Sequence, residues 1–320
     1  MKKQKLFRDE FFVWKHDLKQ ELRAGSRIIT TAKGRIEWSL SGDNGPILCG
    51  IHGGPGGYDQ IAALYPGFSD KGFRILSWSR PGYLRTPLKV GKTFGEQADA
   101  LAALMDALEI EKLAVMAFSA GGPVALEFGL RYPERLSALI LESAVSYRYV
   151  INPENLEENL LYSSLMFTDP VVWICNLLAK RGSGKLLKSV IEIESTLDEQ
   201  KVEDLVSSII GDPEKERIVT GLIKSMSPAS LRRAGLANDL KQLERLGDLP
   251  LERISSPALI IHGVHDWDVP FSHGEFAAKS IPGAELLSIE EGFHIMSLCD
   301  CDNDVTEKKV EFLRSYARDV

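Results

Sequence analysis

Ser119 is the residue of this chain best set for covalent chemistry. It stands in Ala117-Phe118-Ser119-Ala120-Gly121-Gly122, between a stretch that reads as a strand and one that reads as a helix. A serine there lies on a tight turn at the carboxyl end of a strand, where its neighbours must be small. Ala117 and Gly121 meet that need, two residues away on either side. The helix that follows aims its N-terminus at the serine, so backbone N–H groups and the helix dipole favour a developing oxyanion. A serine that merely caps a helix would occupy the same place, and Ala117 replaces the first glycine of the G-x-S-x-G turn. Three further elements narrow the choice. His52-Gly53-Gly54-Pro55-Gly56-Gly57 follows an apolar strand; its glycines permit positive φ and bring an N–H within reach of a substrate oxygen. A phosphate-cradling loop begun at Gly54 fails, because Asp59 stands where glycine is required. Asp266 in Gly263-Val264-His265-Asp266 and His294 in Gly292-Phe293-His294 each come just after a late strand. An imidazole in that position can take a serine proton, and a carboxylate can fix its tautomer and stabilise the imidazolium. Each is an ordinary loop residue taken alone; the order serine, acid, histidine makes them a set.

Residues so far apart in sequence can meet only if strands end together at one edge of a sheet. Residues 27–31 and 35–40 flank Lys33-Gly34, a hairpin signal, and 46–52 is an apolar strand. Residues 73–78 predict a strand and 93–108 a helix, with Thr93 and Glu96 as a capping box and Leu101, Leu104, Met105 and Leu108 as one stripe. A strand at 113–118, a helix at 120–131 and a strand at 136–142 continue the alternation. Continuously apolar strands between helices imply a parallel sheet covered on both faces. From 146 to 248 the pattern is helical, with segments at 156–165, 171–180 and 203–210. That is too long for a loop and reads as a cap. Strands at 257–263 and 284–289 and helices at 271–280 and 305–317 close the chain. The expected fold class is α/β: a mixed, mostly parallel eight-stranded sheet flanked by helices, with a helical cap inserted after the sixth strand. The core is 26–146 and 251–320, the cap 147–250, and 1–25 an N-terminal extension. Residues 1–24 alternate charges with Leu6, Phe11, Phe12, Val13, Trp14, Leu18 and Leu22, which predicts an amphipathic helix or an extension packed on the core.

The chain has 320 residues and a net charge of −7. An acidic balance argues against nucleic acid as partner, and the apolar runs are strand-sized, far short of the roughly 20 residues that span a bilayer. Stable membrane insertion is therefore not expected. Charges at Asp9, Glu10, Lys15 and Asp17 interrupt any signal region, and Cys49, Cys175, Cys299 and Cys301 read as reduced thiols of a cytoplasmic protein. No second cysteine pair at zinc-like spacing joins Cys299 and Cys301.

On these residues the chain resembles the α/β-hydrolase family, over nearly its whole length apart from the N-terminal extension and the cap. The resemblance implies Ser119 as nucleophile, Asp266 as acid and His294 as base, with the N–H groups of Gly54 and Ala120 as oxyanion donors. The spacing of Asp266 from Gly263 and Pro270 matches the family's acid loop, whereas Asp268 falls two residues late. Ser79 stands where the family often has aspartate. The His-Gly-Gly-Pro-Gly-Gly run is similar to that of proline-iminopeptidase-like members, but Ala117 and the lack of a tryptophan after the serine depart from them. The expected activity is carboxylesterase chemistry through an acyl-enzyme on a small to medium lipophilic substrate, with no cofactor and no metal. Leu160, Leu161, Leu165, Met166, Phe167, Trp173 and Ile174 would divide between packing the cap and lining an acyl pocket. Three alternatives stay open. One is an aminopeptidase with Glu192 or Glu194 holding a substrate amino group. Another is carbon–carbon hydrolysis of a diketone, and the third is a ligand sensor without turnover. His52 is expected to order the oxyanion loop, His265 and His273 to be structural or solvated, and His16 to stand apart. Arg181-Gly182-Ser183-Gly184-Lys185 lacks the first glycine and the Ser/Thr of a P-loop and reads as a surface turn.

Overall fold

The computed structural model describes residues 2–149, 167–182 and 184–317, with side chains from residue 8 onward. Helix α1 (Lys2–Ala24) precedes the hairpin β1 (Arg27–Thr31) and β2 (Gly34–Ser41). Then come β3 (Ile47–Ile51), α2 (Tyr58–Leu64), β4 (Arg74–Trp78), α3 (Phe94–Ala107), β5 (Leu113–Phe118), α4 (Gly122–Arg131) and β6 (Leu136–Glu142). The sheet closes with β7 (Ala258–Gly263) and β8 (Glu285–Ile289). Its order is β1-β2-β4-β3-β5-β6-β7-β8. Strand β2 runs antiparallel to both β1 and β4, and all other pairs are parallel. This is the mixed eight-stranded sheet that the pattern predicts. Strands β3, β5 and β7 are buried along their whole length, because helices cover both faces. Leu101, Leu104, Val124 and Leu126 pack one face, and Ile61, Leu64, Phe312 and Leu313 the other.

Among the described residues after β6, five helices follow: α5 (Asp169–Ala179), α6 (Gly184–Glu194), α7 (Glu199–Ile209), α8 (Pro213–Ser225) and α9 (Arg233–Glu244). The helix expected at 156–165 lies outside the described residues, as do Leu160, Leu161, Leu165 and Met166. Helix α7 begins earlier than its apolar stripe suggests. Asp198 caps it by accepting from the Lys201 N–H, so the polar Glu199-Gln200-Lys201 turn is helical too. Helices α10 (Ser272–Ser280) and α11 (Asp302–Tyr316) flank the last strands. No helix among the described residues is long and apolar enough to cross a membrane, and the four cysteines are free.

The capping box at Thr93 is present, with Glu96 N–H on the threonine side chain and the glutamate returning to the Thr93 N–H. The N-terminal segment is helical. Leu18 and Leu22 bury one face of α1 against Tyr58, whose hydroxyl donates to Leu22 O at 2.8 Å, while Phe12 and Val13 stay exposed. Of the two roles open to the apolar cap residues, Trp173 takes packing and is not among the residues lining the cavity described below. It is 2% exposed and packs its ring 5.4 Å from Phe11 and 6.4 Å from Trp14, where α1 covers α5.

Candidate active site

Strand β5 ends at Phe118, and the chain turns so sharply that Ser119 adopts φ 53°, a left-handed conformation rare outside glycine. One turn of 3₁₀ helix (Ser119–Gly121) leads into α4, and the Val145 N–H donates to Ser119 O at 3.1 Å. The glycines around this turn make room. A Cβ on Gly121 would lie 2.7 Å from Ile51 O, and one on Gly122 would lie 2.3 Å from Val145 O. Ala117 is fully buried in β5.

The loop after β3 comes up against the serine, since a Cβ on Gly53 would sit 2.9 Å from the Ser119 Cβ. None of the glycines from 53 to 57 has φ between +20° and +160°. Close approach to neighbours, not left-handed backbone, is what requires them, which corrects the reason inferred from sequence. Gly53 spends its N–H on Gln60 Oε1 at 2.8 Å, while among the described residues the Gly54 N–H meets no acceptor. Ala120 lies in the first turn of a helix, where N–H groups have no partner within the helix. Both amides are thus free to donate.

His294 brings its ring 4.9 Å from that of Phe118, next to the serine. Its Nδ1 pairs with both oxygens of Asp266, at 2.9 and 3.1 Å. Asp266 also accepts from the Val269 N–H at 2.8 Å and has the His262 Nε2 at 3.3 Å. Burial by itself would raise the Asp266 carboxyl, but the charge of His294 and the donors from His262 and His294 outweigh it and hold it below the usual range. On the opposite side of the ring, Nε2 lies 3.3 Å from Asp268 Oδ2. Asp268 is raised by withdrawal from water and by the charge of Asp266, with His294 opposing. Its side chain remains 42% accessible and lines the cavity. Glu194, at the end of α6, is pushed up to about 8 by burial and by Asp268, and its Oε2 has no hydrogen-bond partner. Burial would lower His294, yet Asp266, then Asp268 and Glu194, drive it up to about 10.

Glu194, Asp268 and His294 hold donor atoms within 4.8 Å of one another, a spacing that admits a metal ion. A metal on Nε2 would take the lone pair that a general base needs, so the two uses of His294 exclude each other. Sequence reading missed His262, which faces Asp266, and the pairing of Asp268 with Nε2. The other histidines act locally. His52 Nδ1 is 2.7 Å from Gly53 O, and burial and then the Arg80 charge hold this imidazole well below its ordinary value. His273 accepts from the Ser146 N–H at 3.2 Å, and burial takes it down to about 3. His265 meets Thr196 Oγ1 at 2.9 Å.

A cavity of about 270 Å³ opens above Gly54, Phe118 and His294. Cap side chains make most of its wall, among them Leu187, Val190, Ile209, Val219, Leu222 and Met226, with Ile295 and Leu298 from the core. Gly182 and Gly184 also line it, so the turn read as surface borders the cavity. Among the described residues of the lining, Lys180 is the one Lys or Arg, against the carboxylates of Glu194, Glu216 and Asp268.

The cap is tied to the core by two buried ion pairs. Arg80, after β4, grips Asp239 of α9 through Nη1 at 3.0 Å and Nη2 at 2.5 Å. Arg232, at the start of α9, grips Asp59 of α2 at 3.0 and 2.7 Å and donates to Gly56 O at 2.7 Å. Removing one partner of such a pair strands a buried charge and typically costs about 3–5 kcal/mol.

The chain matches known proteins over most of its length. The family model described as alpha/beta hydrolase fold matches residues 46–170. An uncharacterised hydrolase of Bacillus subtilis, YcgS, is 31% identical over 275 residues, covering 84% of this chain and 92% of that protein. A 2-hydroxy-6-oxononadienedioate/2-hydroxy-6-oxononatrienedioate hydrolase of a Pseudomonas species is 25% identical over 282 residues, 86% of this chain and 89% of that one. Among solved structures, an alpha/beta hydrolase fold protein from Nakamurella multipartita superposes with a TM-score of 0.84 at 34% identity, covering 91% of this chain and 99% of that chain.

Proposed function

The chain belongs to the α/β-hydrolase fold family, and from that premise we propose that it is a serine hydrolase of carboxylic esters. Ser119 attacks the ester carbonyl, His294 takes its proton, and Asp266 holds the imidazole with Nδ1 protonated. The Gly54 and Ala120 N–H groups receive the oxyanion, the alcohol leaves with the proton from His294, and water resolves the acyl-enzyme by the same route in reverse. The observation that carries this reading is the strained Ser119 turn, which follows a Phe118 ring that meets the ring of His294, with His294 Nδ1 held by both Asp266 oxygens. The cavity wall of leucine, isoleucine and valine suits an apolar acyl chain of a small to medium substrate. No cofactor enters these steps.

A second reading, release of an N-terminal aminoacyl group, is favoured by Glu194 and Asp268, which line the cavity without a Lys or Arg partner among the described residues. Glu192, the other candidate, is half exposed and faces Lys188. Carbon–carbon hydrolysis of a dicarboxylate, the substrate class in the name of the Pseudomonas relative, fits less well, because the described residues of this lining carry three carboxylates against one lysine. The test is labelling with a fluorophosphonate together with a panel of acyl esters, aminoacyl esters and diketones. Ser119→Ala should abolish labelling and lower kcat by about 10⁴- to 10⁶-fold with the melting temperature unchanged. Labelling that survives the substitution overturns the assignment.

A further inference from the structure

Two of the ion pairs between cap and core, each with a fully buried arginine, differ in where they lead. The Arg232–Asp59 pair joins α9 to α2 and meets the loop after β3 at Gly56 O, two residues past Gly54. The Arg80–Asp239 pair continues through three hydrogen bonds into the peptide that carries the Gly54 N–H. With its guanidinium fixed, Arg80 donates Nε–H to His52 O at 2.9 Å and its backbone N–H to His52 Nε2 at 3.0 Å. A ring nitrogen that accepts a backbone N–H bears no hydrogen, so His52 carries its proton on Nδ1 and donates it to Gly53 O. The Gly53–Gly54 peptide is planar, and in a trans peptide the C=O and N–H point in opposite directions. Holding Gly53 O on His52 therefore aims the Gly54 N–H away from that ring. Tyr83 closes the circuit. Its hydroxyl donates to Asp239 Oδ2 at 2.7 Å, and it stands 3.2 Å from where a Cβ on Gly54 would be. Its ring meets that of His52 edge to face at 4.7 Å.

We propose that Asp239, carried by the cap helix α9, is a positioning residue for the oxyanion donor Gly54, acting through Arg80, Tyr83 and His52. The inference rests on the reading of Ser119 as nucleophile and Gly54 as donor. It makes the cap part of the catalytic apparatus: a cap lifted from Arg80 leaves the Gly54 amide without its orientation, even where the substrate pocket survives.

Two substitutions test it, Asp239→Asn and the milder Tyr83→Phe, assayed on the whole protein with a short acyl ester. Misplaced transition-state contacts typically cost up to about 100-fold, so kcat should fall about 10- to 100-fold while KM stays within about twofold. Affinity for a trifluoromethyl ketone, whose adduct mimics the tetrahedral intermediate, should fall in the same proportion, and the pH profile should not move. In a His52→Ala background, Asp239→Asn should cost no further activity, because the connection is already cut. Lys215→Ala, which removes the Lys215–Asp300 ion pair between cap and core, should leave kcat unchanged. If Asp239→Asn does not fold, Tyr83→Phe and its combination with His52→Ala decide the matter. Variants that melt earlier but turn over at the wild-type rate, or that lose activity additively in the His52→Ala background, overturn the inference while wild-type labelling at Ser119 stands. A wild-type protein that fluorophosphonate does not label overturns the triad reading, and the inference with it.

Discussion

Two aspartates two residues apart flank the same imidazole, and their surroundings drive them in opposite directions. Asp266, on the inner wall, is held low by His294 and His262 and is further engaged by the Val269 N–H. Asp268, on the cavity wall, is raised by its separation from water and by the neighbouring Asp266 charge, and Glu194 beside it is raised as well. The inner wall is a finished set of hydrogen bonds that fixes one tautomer. The outer wall is unfinished, with a carboxylate oxygen of Glu194 left unpaired. Identical side chains thus divide into an orienting group and a ligand-facing group by what their lone pairs already hold.

That division is open to direct attack. Asp266→Asn should lower kcat by about 10³- to 10⁴-fold, since an amide at Nδ1 leaves His294 in the wrong tautomer. Asp268→Asn should cost far less, and steady-state kinetics on the pair of variants decides; a larger loss at Asp268 would reverse the roles of the two walls.

The outer wall should show instead in the pH profile. As the proposed base, His294 would accept a proton only when neutral, so kcat/KM should rise with pH through its pKa, which the three carboxylates drive up to about 10. Removing the Asp268 charge weakens the hold on the imidazolium, so the acidic limb should move to lower pH in Asp268→Asn. A limb that stays in place would show that the outer wall does not act on His294.

Glu194 gives a smaller effect, read in stability. Its folded pKa, about 8, lies above the ordinary carboxyl value, so the native state binds this proton more tightly than the unfolded chain. The stability it contributes is fully present below the ordinary value of about 4.3 and is lost as pH rises through about 8. Glu194→Gln cannot ionise, so its melting temperature relative to wild type should improve steadily between pH 5 and pH 8. A difference that does not change with pH would remove Glu194 from the raised carboxyls of the outer wall.

The smallest effect belongs to the cavity wall. Leu222→Ala enlarges the cavity and should shift preference toward longer acyl chains by about tenfold, the lower part of the 1–3 kcal/mol that one methylene in an apolar pocket can discriminate. The pH profile should be unchanged, because Leu222 carries no charge. A profile of kcat/KM against acyl length that does not shift would mean that the chain lies elsewhere.

Much of the core could be read from the residues in order. The strand at 113–118 and the turn that follows it are local features: a run of apolar residues, then residues small enough for a sharp bend. The capping box at Thr93 is likewise complete within four residues. Cap helices were legible as helices, yet their contacts were not. Trp173 offers the same apolar stripe to α1 or to a substrate pocket, and only the docking of α1 decides between them. Glu194 and Glu192 are equally acidic on paper; α6 turns one into the cavity and the other toward Lys188.

The sequence by itself determined the alternation of strands and helices, the interruption by a helical segment, and the order of Ser119, Asp266 and His294. Those depend on periodicity and on residue size over a few neighbours. Only the tertiary structure decided which carboxylate faces which nitrogen of His294, and that Arg80 meets Asp239, 159 residues away. Such pairings leave no local pattern, because they are fixed by how whole elements pack rather than by any preference of the residues that meet.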